Sequence, residues 1–340
     1  IWQAEIALAL LFALSALTVR CVQRPGSAEG NALRFPPPGI FFLGAEGTLA
    51  KQELLAFAVI RSILGMEEMD YRRSAHKLLT RVVSERKKST AKSGALMAFG
   101  DSFMVKSMTA VEASTLLAIL RSYLNHLENH GGSNTMLPRF YGAYIHVGLL
   151  GRQTFLAVMA NVFADVPPDV LRTMEKFDLK GSSDDRSQRH EGAELMDFDL
   201  LREDRKLVAA DVAQGEEFYS QLHDDVRFLL AQHMPVGPCG VLDYESLPDA
   251  YRGAPGLMDY SLLVGVVPRG TPGGIIRLDV RDERLQHCMG PDGRTCYDVQ
   301  VQDATVLVGV IDILQFWTPT KRAARLLKKG LGKERDLDGG

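Results

Sequence analysis

From Thr305 to Phe316 the chain runs TVLVGVIDILQF, an apolar stretch broken by a single carboxylate, Asp312. Such a stretch belongs in a strand of a buried sheet. A carboxylate inside it is unfavourable unless its charge is matched, and a divalent cation is one partner that would match it. Phe103-Met104-Val105-Lys106-Ser107-Met108 poses the same problem with the opposite sign: Lys106 lies in the middle of an alternating strand. Either that lysine snorkels to water from a sheet edge, or its ammonium meets the phosphate oxygens of a nucleotide.

The segments around these two strands predict both helices and strands. Residues 51–85 have helical spacing, with Gly65 as a stop. Thr109 to Leu127 places Leu116, Ile119, Leu120, Tyr123 and Leu127 on one helical face. Thr109-Ala110-Val111-Glu112 forms a capping box at its start. Tyr141 to Val147 and Thr154 to Met159 read as strands joined by a hairpin loop. A further helix is expected over Glu216 to His233, and a strand over Tyr260 to Val267. Residues 183–194, 235–256 and 268–298 are polar or rich in Gly and Pro and read as loops. With 46% hydrophobic and 24% charged residues, the chain has enough apolar material for a real core. A net charge of -3 gives no general attraction to nucleic acid.

Two more places carry candidate chemistry. Asp259 sits at the entry to the apolar run Tyr260-Ser261-Leu262-Leu263, either as a turn residue or as a base or orienter for a hydroxyl nucleophile. Lys180 follows Asp178-Leu179 and precedes Gly181-Ser182, where a simple turn competes with a phosphate-binding loop. No G-x-x-x-x-G-K-[ST] word is present, which excludes a P-loop enzyme. The four cysteines, Cys21, Cys239, Cys288 and Cys296, form no C-x-x-C pair, so reduced thiols are expected rather than a structural zinc site. One strand lysine, one lysine beside a glycine and two late aspartates make up the inventory for phosphoryl transfer, where positioning and charge neutralisation dominate.

The first residue is Ile1, which suggests a segment of a longer protein. Ile6 to Val19 is apolar apart from Ser15, and Arg20 and Arg24 follow. It reads either as the remnant of a transmembrane helix with its arginines on the cytoplasmic side, or as a buried or interfacial helix. Residues 1–24 are assigned to this element and 25–45 to a linker rich in Pro and Gly.

The words of the chain, taken in order, resemble the catalytic domain of the phosphatidylinositol phosphate kinases. Phe57-x-x-Ile60-Arg61, Gly65 and Asp70-Tyr71-x-x-Ser74 resemble the family's opening helix. Phe103 to Ser107 resembles its nucleotide-lysine strand, and Leu137 to Gly142 and Val158 to Phe163 resemble its next strands. Asp178-Leu179-Lys180-Gly181-Ser182 with Arg186, Met258-Asp259-Tyr260-Ser261-Leu262-Leu263 and Val310-Ile311-Asp312-Ile313-Leu314-Gln315 resemble its hallmarks.

The resemblance implies a two-lobed α+β fold of the kinase type. Residues 46–160 would form an N-lobe with an antiparallel sheet and a helix, and 161–340 a mixed α/β C-lobe. It implies ATP and Mg2+ as cofactors and a phosphatidylinositol monophosphate as acceptor, at the cytoplasmic face of a membrane. Lys106 would hold the ATP α- and β-phosphates, and Met159 and Asn161 would lie in the hinge near the adenine. Lys180 would contact phosphate, and Arg186 would support that turn or bind the headgroup. Asp259 would act at the inositol hydroxyl and Asp312 would hold magnesium. Lys321 and Arg325 belong to a basic helical face that would be drawn to anionic lipid, about 1 kcal/mol per residue near the surface. Glu112 is assigned to the helix cap and Asp225 to a structural role. The resemblance also leads to the expectation of a domain truncated at both ends and lacking the family's specificity loop. The alternative expectation is a non-catalytic kinase-like module fused to a membrane receptor.

Overall fold

The computed structural model describes residues 39–42, 48–88, 97–99, 102–132, 134–148, 153–181, 194–202, 205–232, 256–258, 260–289 and 295–316. They form two compact units. The first is built mainly from the chain up to residue 129 together with 140–159; the second takes 130–139 and most of the chain from 160 onward.

The first unit contains β1 (Gly39–Phe42), α1 (Thr48–Ile63), α2 (Glu68–Lys88), β2 (Met97–Phe99), β3 (Phe103–Met108), α3 (Ala110–Asn129), β4 (Phe140–Val147) and β5 (Gln153–Ala160). Its sheet has the order β1-β4-β5-β3-β2, with antiparallel pairing in β1–β4, β4–β5 and β2–β3. On α2, Tyr71, Ala75, Leu78, Leu79 and Val82 recur at helical spacing and are buried. Gly65, at φ 66, separates α1 from α2, a backbone conformation glycine adopts without a Cβ penalty.

At the centre of this unit Arg61 is almost fully buried, and its charge is matched. Its Nε donates to Glu68 at 2.7 Å, Nη1 donates to the Tyr141 carbonyl at 2.8 Å, and the guanidinium lies 4.5 Å from the centre of the Tyr71 ring. The Tyr71 and Tyr144 hydroxyls share a hydrogen bond of 2.7 Å. Gly142 leaves room for this pair, because a Cβ there would collide with the Tyr71 hydroxyl.

The second unit contains α4 (Pro168–Thr173), β6 (Glu175–Leu179), β7 (Leu195–Met196), α5 (Asp197–Arg202), β8 (Lys206–Ala209), α6 (Val212–Ala231), β9 (Ser261–Pro268), β10 (Ile276–Met289) and β11 (Thr295–Ile311). Its sheet is mixed, in the order β7-β6-β9-β11-β10-β8, with β6 and β7 parallel and the other pairs antiparallel. One core cluster packs Val162, Phe163, Val166, Val267 and Leu307 together. Gly265 on β9 admits the Phe163 ring, since a Cβ there would come within 2.6 Å of it. The fold is α+β, as the sequence leads one to expect.

Three sequence-based assignments need correction. Residues 268–298 are not one loop: β10 and the start of β11 form a long antiparallel hairpin across most of that span. The strand expected from Thr305 to Phe316 begins at Thr295 and ends at Ile311. Asp312 therefore lies just past the strand, at φ 62, rather than inside it. The helix expected from Glu216 starts earlier, at Val212, because the Asp211 side chain caps it by accepting from the Ala213 N–H at 2.8 Å. Among the described residues no helix is long and apolar enough to cross a membrane. The apolar run Ile6 to Val19 lies outside the described residues.

Candidate active site

The second unit's sheet gathers the hallmark words at one of its ends. Leu179 on β6 pairs with Leu262 on β9, and Leu262 pairs with Val310 on β11. β6 and β11 both run antiparallel to β9, so both finish at the same edge. Lys180 and Gly181 thus leave β6 where Asp312 leaves β11. Ser261, at the start of β9, pairs with Ile311. Met258 N–H donates to the Gln315 carbonyl at 2.7 Å. Asp259 falls between these two ties but lies outside the described residues, as do Arg186, Lys321 and Arg325.

The turn after β6 is held by a residue that sequence reasoning passed over. The Asp197 carboxylate, buried at the start of α5, accepts from Lys180 N–H at 3.0 Å and Gly181 N–H at 2.8 Å. These bonds fix the backbone and leave the Lys180 side chain exposed. Gly181 has φ 63, so the turn uses glycine where other residues would be strained. The signal for Asp197 was Asp197-Phe198-Asp199, a pair of short acidic residues placed to open a helix. Asp199 does a related job two residues on, accepting from Met196 N–H at 2.9 Å.

Glu194 is the second residue missed. Partial loss of solvent around its carboxyl, then the negative charge of Asp178, and also that of Asp312, raise its pKa, while Lys176 opposes them. Glu194 therefore feels two other carboxylates at this end of the sheet. The potential they create favours a cation. Magnesium is usually held by one or two carboxylates together with waters and phosphate oxygens. Asp312 offers an oxygen ligand of the type this ion takes, beside that field. Among the described residues no group of three or more His, Cys, Asp or Glu is close enough to hold a metal by itself.

The mutual repulsion gives an expected result. Glu194→Gln should stabilise the fold slightly at pH 7, by less than about 1 kcal/mol because the residue is exposed, read as a higher thermal midpoint. The wild-type carboxylate costs the folded state above its raised pKa, and protonation relieves that cost. The gain should therefore fade as the pH drops through the carboxylate range. An equal gain at pH 4 and pH 7 in thermal melts would contradict the electrostatic cause.

Asp312 is positioned from behind by a buried relay. The Asp225 carboxylate, 1% exposed on α6, accepts from the Thr135 hydroxyl at 2.7 Å and Met136 N–H at 2.6 Å. The Met136 carbonyl in turn accepts from Val310 N–H at 2.7 Å, two residues before Asp312. This agrees with the structural role assigned to Asp225.

In the first unit Lys106 lies half-buried on β3, opposite Met97 on β2. The neighbouring strand β5 carries Met159, buried and paired with Phe140. Just past β5, in the second unit, Asn161 opens a turn in which its Oδ1 accepts from Phe163 N–H at 3.1 Å. Glu112 closes the capping box of α3. Its carboxylate accepts from Thr109 N–H at 2.7 Å, and its own N–H donates to the Thr109 hydroxyl at 3.2 Å. The cap accounts for Glu112, as the Thr-x-x-Glu spacing predicts.

Comparison with known proteins adds independent findings. The family model for Phosphatidylinositol-4-phosphate 5-Kinase matches residues 78–235. Phosphatidylinositol 5-phosphate 4-kinase type-2 alpha of Sus scrofa is 29% identical over 220 residues, covering 62% of this chain and 46% of its own length. A protein named probable phosphatidylinositol phosphate kinase in Dictyostelium discoideum is 27% identical over 220 residues, 62% of this chain and 26% of its own. Phosphatidylinositol 4-phosphate 5-kinase 1 of Arabidopsis thaliana is 29% identical over 168 residues, 49% of this chain and 18% of its own. The chain thus spans less than half the length of these relatives. Amoeba, animal and plant sequences point the same way as the ordered words: over these residues the chain is similar to the phosphatidylinositol phosphate kinases.

Proposed function

We infer that the chain is a phosphotransferase that moves the γ-phosphate of ATP to a ring hydroxyl of a phosphatidylinositol monophosphate, giving a bisphosphate, at the cytoplasmic face of a membrane. One observation carries this reading: the strand register that brings the Lys180 turn and Asp312 to one end of the second unit's sheet. Relatives named as phosphatidylinositol phosphate kinases support it. In this reading residues 46–160 supply the N-lobe and 161–340 the C-lobe. Lys106 holds the ATP α- and β-phosphates, with Met159 and Asn161 beside the adenine. Lys180 neutralises phosphate charge, Arg186 engages the turn or the headgroup, and Asp259 orients or deprotonates the acceptor hydroxyl. Magnesium, held by Asp312 when bound, would supply charge neutralisation on the phosphates. Lys321 and Arg325 draw the protein to anionic lipid.

The test is transfer of labelled phosphate from ATP to vesicles containing phosphatidylinositol monophosphate. Wild-type protein should label the lipid, and Lys106→Met should lower the rate by about 100-fold or more with an unchanged melting temperature. Added salt should weaken vesicle binding by screening. Absence of transfer by the wild type, or equal rates for the wild type and Lys106→Met, would refute the reading. Transfer to a soluble inositol phosphate but not to vesicles would move the substrate away from the membrane.

A further inference from the structure

The long hairpin of the second unit extends past the sheet that it belongs to. Among the described residues, β8 covers β10 only from Val280 to Glu283, and β9 covers β11 only from Ala304 to Ile311. Beyond Arg284 and Gln300 the two strands pair, among the described residues, with each other alone, out to Met289 opposite Thr295. A two-stranded ribbon standing by itself is marginally stable in water. The register within it is unbroken, and it sets Cys288 directly opposite Cys296. Directly opposed residues in an antiparallel pair have Cα separations of about 4.5 or 5.5 Å, depending on the hydrogen-bonding position. Both values fall within the range of about 4.4–6.8 Å that a disulfide spans. The sequence alone gave no reason to pair these cysteines, because residues 268–298 read as a loop.

We propose that Cys288 and Cys296 are a reversible oxidation site, closing a cross-strand disulfide that staples the free end of the ribbon. The oxidant is a hydroperoxide or an oxidised low-molecular-weight thiol. With a hydroperoxide, one thiolate attacks the peroxide oxygen; an S–O bond forms, the O–O bond breaks, and the released oxyanion takes up a proton. The second thiolate then attacks the sulfenic sulfur; the S–S bond forms, and hydroxide leaves and is protonated to water. Two thiols lose two electrons in all, and the peroxide gains them. In a reducing compartment the bond is re-opened by thiol exchange, so the site reports oxidative conditions rather than serving as a permanent structural bridge. The chemistry of this site does not depend on the proposed kinase activity.

Mass mapping of the folded full chain tests the proposal. The protein is treated with hydrogen peroxide or with reductant, unfolded, alkylated and digested. Oxidation should reduce the four alkylatable thiols to two and yield one linked species joining the peptides of Cys288 and Cys296, lighter by two hydrogens than the two reduced peptides together. Reductant should restore all four. The same treatment in denaturant should spread linkage to Cys21 and Cys239, because the register no longer selects the pair. Cys288→Ser and Cys296→Ser should each abolish the linked species. Full alkylation of both cysteines after oxidation of the folded wild type would overturn the proposal. So would preferential linkage of either one to Cys21 or Cys239, or to a second molecule. The wild-type mapping decides the matter even if either variant folds poorly.

Discussion

Replacing Arg205 with methionine should destabilise the second unit by about 3–5 kcal/mol, read as a lower urea midpoint. The Arg205 side chain is fully buried and that of Asp282 is 2% exposed. Nε donates to Asp282 Oδ1 at 2.8 Å, and Nη2 donates to Oδ2 at 2.6 Å and to Glu175 at 2.7 Å. Glu175 is on β6 and Asp282 on β10, strands that β9 and β11 separate, so one guanidinium ties together strands that are not neighbours. Burial by itself would raise the Asp282 carboxyl; hydrogen bonding and charge from Arg205, aided by Arg284, outweigh that and hold it below the usual carboxylate range. Arg205 itself is pulled down by burial and pushed up further by Asp282 and Glu175.

Methionine keeps most of the volume and leaves a buried carboxylate whose cationic partner among the described residues is the half-exposed Arg284 at 3.2 Å. The pH dependence separates this cause from lost packing. In the wild type, Asp282 contributes stability above the ordinary carboxylate pKa and loses it as pH falls through its lowered value. In Arg205→Met the carboxyl should sit above its usual value, so acidification relieves the strain. The difference between variant and wild type should be largest near pH 7 and shrink toward pH 4. Adding Asp282→Leu should recover much of the loss, because a buried pair is often replaceable by apolar side chains. A deficit that stays constant with pH and is not rescued would assign the effect to packing.

On the proposed reading, Asp312→Asn should lower phosphate transfer by about 100- to 1,000-fold while leaving the melting temperature at or slightly above the wild-type value. Asparagine tolerates the left-handed conformation at φ 62, so the backbone need not move. Alanine would be a poorer choice, since its loss of activity would be mixed with backbone strain. Removing this charge also relieves Glu194, whose pKa should move back toward the ordinary glutamate value. Wild-type activity in the asparagine variant, measured at saturating magnesium and ATP, would remove Asp312 from the site.

Much of this arrangement could be read from the chain because the informative residues contrast with their surroundings. Lys106 and Asp312 stand out as charges against apolar neighbours, and Thr109 with Glu112 announces a helix start by spacing alone. The ribbon of β10 and β11 could not be read this way. Its outer half lies beyond the core strands; the run from Tyr297 to Gln302 alternates, but Val299 and Val301 stay exposed, so no buried face marks it. Asp197 and Glu194 escaped for a different reason. Asp197 binds backbone amides sixteen and seventeen residues upstream, and the charges felt by Glu194 come from β6 and from the residue just past β11. No local pattern records contacts that arise only when the sheet closes. The sequence placed Asp312 inside the strand, one residue too far, because an apolar run continues past the point where the ladder stops.

The Asp225 relay governs how this molecule can be divided. Thr135 and Met136 precede β4 in sequence yet belong to the second unit, so neither unit is one continuous length of chain. A fragment begun at residue 160 would keep the buried Asp225 carboxylate but lose its hydroxyl and amide donors, and Val310 would lose its acceptor. Excising either half with a single cut therefore removes an internal brace. A transplant of the acidic corner into another scaffold must carry residues 134–137 with it as a separate insert.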